Sequence, residues 1–246
     1  MKLLASVVAL RLLAASSGAA PPSPHTVYSP AVAVQWKDRL HEADVQLRAG
    51  DWKKGTAMAD STLREMRDRI ASGDASGSLL AVALLLRAIG EAGLGDSESA
   101  AWDFGAAQAL YPDYSRVDLK PFGDVAAMMD PWRYKGGAPS LQHGPIPEGS
   151  APSTEVTPPR KIAGKQPEYP YAKARACIQS PIVVHTVIAE DGKARFPAID
   201  AGADPILALA AFDALRTWRF DAAKRGGKPV QVFFDLTINF KVRHCY

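Results

Sequence analysis

The sequence predicts an α+β protein in which N-terminal all-α helical hairpins precede a three-stranded antiparallel sheet with helices on one face. Residues 32–111 carry apolar positions at helical spacing, broken at Gly50-Asp51 and Gly95-Asp96. Residues 166–246 instead contain segments of alternating apolar and polar residues on either side of an apolar helix. With 47% hydrophobic and 22% charged residues, the chain of 246 residues can build one or two globular domains.

The first 20 residues, MKLLASVVALRLLAASSGAA, have the pattern of a secretory signal peptide, with a positive charge at Lys2 and small residues at Ala19 and Ala20. The apolar stretch, residues 3–15, is shorter than the roughly 20 residues of a membrane-spanning helix. It also contains Arg11. We therefore expect residues 1–20 to be a cleaved signal. An uncleaved segment is the alternative, and on this interpretation only that form associates with a membrane.

Charge and motifs argue against several classes of function. The formal net charge is +3, and Lys2 and Arg11 of the signal segment supply two of the positive charges. No basic stripe is visible in the sequence, so we expect no nucleic-acid partner. The five histidines are scattered, and the chain has no zinc-ligand spacing, GxSxG, Walker loop or GxGxxG motif. We therefore expect a non-enzymatic protein with no cofactor and no metal site.

The helical region, residues 27–134, is expected to form two hairpins split at the Gly-Asp breaks, with Asp51 as an N-cap. These hairpins resemble the tetratricopeptide repeat, which buries a face of small residues against its neighbour. The resemblance rests on residues at the spacing of the repeat: Trp36, Ala43, Gly50, Gly55 and Ala59, then Ala88, Gly95, Ala100, Phe104, Ala107 and Pro112. Arg87 and Glu91 depart from the motif. A generic four-helix segment with alanine-rich seams is the alternative.

Residues 135–165 are dense in Gly, Pro, Ser and Thr and offer almost nothing to bury. This composition predicts a linker, which would serve as a tether between modules or as a passive connector. A second domain is then expected over residues 166–246.

In that second domain, Asp204 and Pro205 form the N-cap and the first position of a helix. Its apolar residues recur on one face: Leu207, Ala210, Ala211, Ala214, Leu215 and Trp218. The strand before the helix alternates and ends in a hairpin turn at residues 189–192, with these positions facing the helix: Ile182, Val184, Thr186 and Ile188. The last strand, residues 230–242, also alternates, and a short helix is expected around residues 171–176.

Six short motifs resemble the C-terminal domain of the TonB family over about residues 167–242: Tyr169-Pro170, Ala174-Arg175, Asp191-Gly192, Trp218-Arg219-Phe220, Gly227-Lys228-Pro229-Val230 and Ile238-Asn239-Phe240. The resemblance implies a periplasmic protein that adds a partner's strand to a free sheet edge. The implied partner is the box peptide of an outer-membrane receptor or another envelope protein, and the implied process is energy-coupled transport across the outer membrane. An envelope adaptor that binds proteins through its helices, without transduction, is the alternative.

The sequence also indicates which edge is open. Pro197 interrupts the second strand, and a proline within a strand is tolerated mainly at a sheet edge. If the first strand is central, the last strand is the remaining edge, and its predicted partner-binding residues are Val230, Gln231, Val232, Phe233, Phe234, Asp235, Leu236 and Thr237. Phe233, Asp235 and Thr237 are expected to face away from the helices. The alternatives are that the chain's own tail covers this edge or that a second copy does, which would give a homodimer.

The chain has two cysteines, Cys177 and Cys245. Export to an oxidising compartment predicts a disulfide between them, with two free thiols as the alternative. If the two residues pair directly across the first and last strands, the antiparallel register pairs Ile182 with Phe240. That register joins residues assigned to the same face of the sheet.

Overall fold

The computed structural model describes residues 30–70, 76–134 and 156–241. The predicted signal, residues 1–20, lies outside these residues. Four long helices come first: α1 (Pro30–Arg48), α2 (Trp52–Arg69), α3 (Ser76–Gly93) and α4 (Ser97–Leu110). They pack as two consecutive hairpins, α1 with α2 and α3 with α4, and α2 packs on α3. None of the helices within the described residues is long and apolar enough to cross a membrane.

Both hairpins break where the sequence predicts. Gly50 and Gly95 end α1 and α3 with φ of +81° and +85°, a conformation that favours glycine. Asp51 then caps α2, since its side chain accepts a hydrogen bond from the backbone N–H of Lys54 at 3.1 Å. Asp96 caps α4 in the same way. The two Gly-Asp pairs therefore each end one helix and begin the next.

Most of the positions that carry the resemblance to tetratricopeptide repeats lie in the core of the helical domain, whereas Gly50, Gly95 and Pro112 are exposed at the turns. Seven of them are fully buried: Trp36, Ala43, Ala59, Ala88, Ala100, Phe104 and Ala107. A Cβ on Gly55 would come within 2.5 Å of the Leu47 side chain, so α1 and α2 approach closely at this glycine. The small residues thus allow neighbouring helices to pack closely. The helical hairpins are consistent with the tetratricopeptide repeat, and the repeat itself stays a prediction.

After α4 the chain continues through short turns that cover the end of the hairpins. These are the 3-10 turns Pro112–Arg116, Lys120–Phe122 and Asp130–Trp132, together with the short helix α5 (Asp124–Met129). Tyr134, the last described residue before residue 156, is buried. Its backbone N–H donates to the Gln108 side chain at 2.7 Å, and Gln108 also donates to the Trp132 carbonyl. This buried amide fixes the exit of the chain from the helical domain.

The second domain confirms the predicted α+β architecture. Its main elements are α6 (Tyr171–Arg175), β3 (Ser180–Ile188), β4 (Ala194–Ile199), α7 (Pro205–Thr217) and β8 (Val232–Phe240). The sheet order is β4-β3-β8, with both pairs antiparallel. The Asp204 side chain accepts from the N–H groups of Ile206 and Leu207, and Pro205 opens α7, as expected. The apolar face of α7 packs on the sheet.

The pairing register of β3 and β8 differs from the one derived from the cysteines. Ile182 pairs with Ile238, not with Phe240, so the predicted register is wrong by two residues. The side chains keep their predicted face because a shift of two preserves the alternation. Cys177 lies between α6 and β3 and has φ of +53°. Because it is not part of β3, its position does not define the pairing register of that strand. Cys245 lies outside the described residues, and the disulfide stays a prediction.

The last part of the predicted linker forms strands. These strands and their partners are β1 (Val156–Thr157), β2 (Arg160–Ala163), β5 (Arg219–Asp221), β6 (Lys224–Arg225) and β7 (Lys228–Pro229). β1 pairs with β6, β2 with β5, and β6 with β7. Val156 is buried. The structured second domain therefore begins at least nine residues before the expected end of the linker at residue 165.

The helical domain packs directly against the sheet domain, with α4 along β4. The buried Tyr134 hydroxyl donates to the Pro197 carbonyl of β4 at 2.8 Å. Gly105 of α4 allows this approach, since a Cβ there would lie 2.6 Å from the Tyr134 hydroxyl and 3.2 Å from Pro197. The outer side of β4 is therefore covered by the protein's own helical domain.

A cluster of charged side chains crosses the same interface. Arg87 of α3 forms ion pairs with Asp103 and, at 2.9 Å, with Asp60. The buried Asp103 also accepts from Arg216 of α7 at 3.4 Å. Two further ion pairs join the domains, Arg67–Asp213 at 2.8 Å and Lys193–Glu98 at 2.7 Å. Arg87, which departs from the tetratricopeptide pattern, thus joins α3 to α2 and α4 within the helical domain and holds Asp103, the residue that contacts Arg216 of the sheet domain.

Candidate partner-binding edge

The strand β8 forms one edge of the main sheet. It pairs with β3 along its whole length, from Val232 opposite Ile188 to Phe240 opposite Ser180. No other strand within the described residues pairs with it. Of the predicted binding residues, Val230 and Gln231 precede the strand, the other six lie within it, and the strand continues three residues beyond Thr237.

The direction of the backbone groups follows from the neighbouring hairpin. The N–H of Ala189 donates to the carbonyl of Lys193 on the β4 side at 2.9 Å. Because N–H and C=O groups alternate between the two sides of a strand, the even-numbered residues of β3 face β8. Their even-numbered partners in β8 bond back to β3. The odd-numbered residues Phe233, Asp235 and Thr237 therefore direct their N–H and C=O groups toward the open edge.

The same alternation separates the side chains of β8. Val232 and Ile238 are buried beneath the helices, and Phe234 is half-buried there. Asp235 and Thr237 are exposed on the opposite face, and Phe233 is half-buried. This matches the expected orientation of the odd-numbered residues. A partner strand along β8 would meet main-chain groups at the edge and polar side chains on the outer face.

His185 ties the three strands together on this outer face. Its Nδ1 lies 2.8 Å from a carboxylate oxygen of Asp235 on β8, and its Nε2 lies 3.0 Å from one of Asp200, just after β4. Partial burial of the ring opposes protonation, but the hydrogen bonds to the two carboxylates outweigh it and raise the pKa of His185. Sequence reasoning missed this bridge, because His185 has no distinctive spacing relative to either aspartate.

The beginning of β8 is held by a corner that joins two of the six motifs. Phe220 is buried, and its ring lies 6.3 Å from that of Phe234 in β8. Its N–H donates to the carbonyl of Gly192 at 2.9 Å. Gly192 has φ of +74°, and a Cβ there would lie 2.1 Å from the Phe220 carbonyl oxygen. The Asp-Gly turn and the Trp-Arg-Phe segment therefore depend on each other and position the edge strand.

The charged and polar groups of the described residues do not assemble a metal site, since no group of three or more His, Cys, Asp and Glu there could hold a metal ion. The arrangement around β8 instead presents a strand edge that no other strand within the described residues pairs with. An open, well-supported strand edge of this kind is typical of domains that bind an extended segment of another protein.

These features define a protein-interaction domain. Residues 165–242, about a third of the chain, match the family model for the Gram-negative bacterial TonB protein C-terminal region. The C-terminal domain is therefore similar to the TonB C-terminal domain, a family of interaction domains found in cell-envelope proteins. Neither the curated proteins nor the solved structures contain a significant match to the chain.

Proposed function

We propose that the protein acts in the periplasm and binds an envelope partner by strand addition to β8. The observation that carries this proposal is the direction of the N–H and C=O groups of Phe233 and Thr237 toward an edge that no other described strand pairs with, while the helical domain covers the opposite edge of the sheet. Main-chain hydrogen bonds would provide affinity, and the outer-face side chains would provide selectivity.

The partner we propose is an outer-membrane receptor that presents an extended box peptide, or another envelope protein with such a segment. A role in energy-coupled transport would further require a connection to the inner-membrane motor. An uncleaved N-terminal segment would supply that connection, whereas a cleaved signal would leave a periplasmic binding protein. Membrane fractionation of the untagged protein distinguishes the two forms.

The test blocks the edge without disturbing the ladder to β3. Thr237→Pro removes an outward N–H and places a proline ring on the edge, while the bonds of the even-numbered residues stay in place. We expect it to weaken binding of a synthetic receptor box peptide by roughly tenfold or more, because the lost bond and the steric block act together. Binding is measured by calorimetry or fluorescence anisotropy.

The matched control is Thr237→Ala, which removes the same exposed side chain and keeps the N–H. It should bind the peptide like the unmodified protein, and both variants should show the same circular dichroism spectrum. Equal peptide binding by the proline and alanine variants would overturn strand addition at this edge. If the proline variant instead dissociates a dimer measured by sedimentation, the edge is occupied by a second copy.

One observation favours the adaptor alternative. A groove of about 650 Å³ lies at one end of the helical hairpins and is lined by Arg48, Trp52, Phe122 and Met128, among others. The Arg48 guanidinium stacks over the Phe122 ring at 4.9 Å. A mainly apolar groove with one cationic and one acidic side chain, Arg48 and Asp124, suits a protein segment. Partner binding that survives both Thr237 variants would favour this surface over β8.

A further inference from the structure

The five short strands β1, β2, β5, β6 and β7 build a strongly basic surface outside the main sheet. We propose that this surface, here called the basic ribbon and comprising residues 156–165 and 219–229, docks the protein on the surface of an anionic phospholipid bilayer. The proposal is independent of strand addition at β8. It also adds a membrane contact that does not depend on the N-terminal segment.

The basic ribbon consists of two short sheets, β1-β6-β7 and β2-β5, that lie in sequence along the same two segments. Val156 pairs with Arg225 and Arg160 pairs with Asp221, so both short pairings follow the same antiparallel register. Pro158 and Pro159, which lack N–H groups, interrupt the ladder between them. The hairpin of β6 and β7 adds a third strand, with Arg225 opposite Lys228. Residues separated by about sixty positions in the sequence therefore share one surface.

The charge of the ribbon far exceeds that of the whole chain. It contains seven cations and a single acid, Asp221, and the cations are Arg160, Lys161, Lys165, Arg219, Lys224, Arg225 and Lys228. Its net charge of +6, set against +3 for the chain, leaves −3 for all other residues together. Asp221 forms an ion pair with Lys224 at 2.9 Å. Arg160, Arg225 and Lys228 are exposed and have no ion-pair partner among the described residues.

An exposed aliphatic side chain lies among these charges. Ile162 is 58% exposed and lies two residues after the exposed Arg160 in β2, at the point where the pairing with β5 is irregular. The amine of Lys161 lies 3.4 Å over the Trp218 ring. Cations around an exposed aliphatic residue are typical of surfaces that bind anionic bilayers, because the headgroups attract the charges and the acyl boundary accepts the apolar group. These features favour a bilayer over a soluble acidic protein.

The test uses the full chain and two triple variants that change the net charge equally. Arg160→Gln, Arg225→Gln and Lys228→Gln neutralise the ribbon. The control neutralises three exposed lysines of the helical domain that have no ion-pair partner among the described residues: Lys53→Gln, Lys54→Gln and Lys120→Gln. Binding is measured by flotation with phosphatidylcholine vesicles, with and without phosphatidylglycerol. Any contribution of the N-terminal apolar segment is equal in all variants.

We expect the unmodified protein to bind phosphatidylglycerol vesicles more tightly than neutral ones and to lose this preference at high salt. Each cation near an anionic surface contributes about fivefold in affinity, so the ribbon variant should lose on the order of a hundredfold. The lysine control should lose much less. Ile162→Ser should weaken binding roughly threefold or more without changing the charge.

Equal vesicle binding by the two triple variants would overturn the proposal, as would equal binding to neutral and anionic vesicles. Soluble polyglutamate tests the alternative ligand, an acidic polymer or protein in solution. If it binds as tightly as the vesicles and Ile162→Ser has no effect, the ribbon recognises acidic polymers and the bilayer proposal fails. Retention of box-peptide binding by the ribbon variant separates this result from any failure of strand addition.

Discussion

Glu91, near the domain interface, should make the stability of the folded protein decrease as the pH rises. Burial, reinforced by the negative charge of Asp103, raises the pKa of Glu91 to about 8, although Arg87 and Arg216 act in the opposite direction. One of its carboxylate oxygens is buried without a hydrogen-bond partner among the described residues. The folded protein therefore favours the protonated form of Glu91, which can donate to Asp103.

The consequence for stability follows from proton linkage. In the unfolded chain Glu91 titrates near its usual value of 4.5, whereas in the folded protein it keeps its proton until about pH 8. Because the folded-state pKa is raised, the stabilisation is complete below about pH 4.5 and is lost as the pH rises toward 8. At about 1.4 kcal/mol per pH unit, Glu91 should lower the free energy of unfolding by about 3 kcal/mol between pH 5 and pH 8.

The perturbation is Glu91→Gln, which keeps the shape and a donor to Asp103 but removes the titration. Urea unfolding at a series of pH values should show a flatter dependence in the variant and a higher stability than the unmodified protein at pH 8. Glu98→Gln, which removes an exposed carboxylate at the same interface, should keep the original slope. Parallel pH curves for the Glu91 variant and the unmodified protein would refute the reasoning.

Two further predictions concern the sheet domain. Gly192→Ala should destabilise the protein by about 2–4 kcal/mol in thermal unfolding, because the new Cβ would collide with the Phe220 carbonyl. Gly202 has a similar φ but open space around it, so Gly202→Ala should destabilise the protein by only about 1 kcal/mol in the same measurement. A Cys177–Cys245 disulfide should leave no reactive thiol in the oxidised, denatured protein and should contribute about 3–5 kcal/mol of stability; labelling of two thiols would contradict it.

The parts of the fold that depend on neighbouring residues in the sequence were predictable. Asp51 and Asp204 signal helix starts because a capping side chain bonds to an N–H only two or three positions ahead. The faces of β3 and β8 follow from strict alternation. Pro197 marks the covered edge because proline cannot take part in a central ladder. Each of these signals needs no knowledge of a distant partner.

The features that the sequence did not reveal depend on distant partners. Val156 looks like part of a linker until its pairing with Arg225 is known, and the two prolines that follow it conceal the strand pattern. The basic ribbon was invisible for the same reason, since its charges come from two segments and the rest of the chain compensates them. Arg87 and Glu91 were visible only as departures from a repeat, because the residues around them lie on other elements: Asp60 and Asp103 pair with Arg87, and Asp103 acts on Glu91.

The covered edge at β4 and the basic ribbon together determine how the open edge at β8 would lie relative to a bilayer. A three-stranded sheet has two edges, and in this protein the helical domain occupies the side of β4 through α4 and Tyr134. That leaves β8, within the described residues, as the place for one partner strand. Only Val230 and Gln231 separate the end of the ribbon strand β7 at Pro229 from the start of β8 at Val232. The N–H of Val230 donates to the carbonyl of Ala223 at 2.8 Å. A bilayer held by the ribbon would therefore lie near the start of β8, where a partner embedded in that bilayer would meet the edge at a high effective concentration.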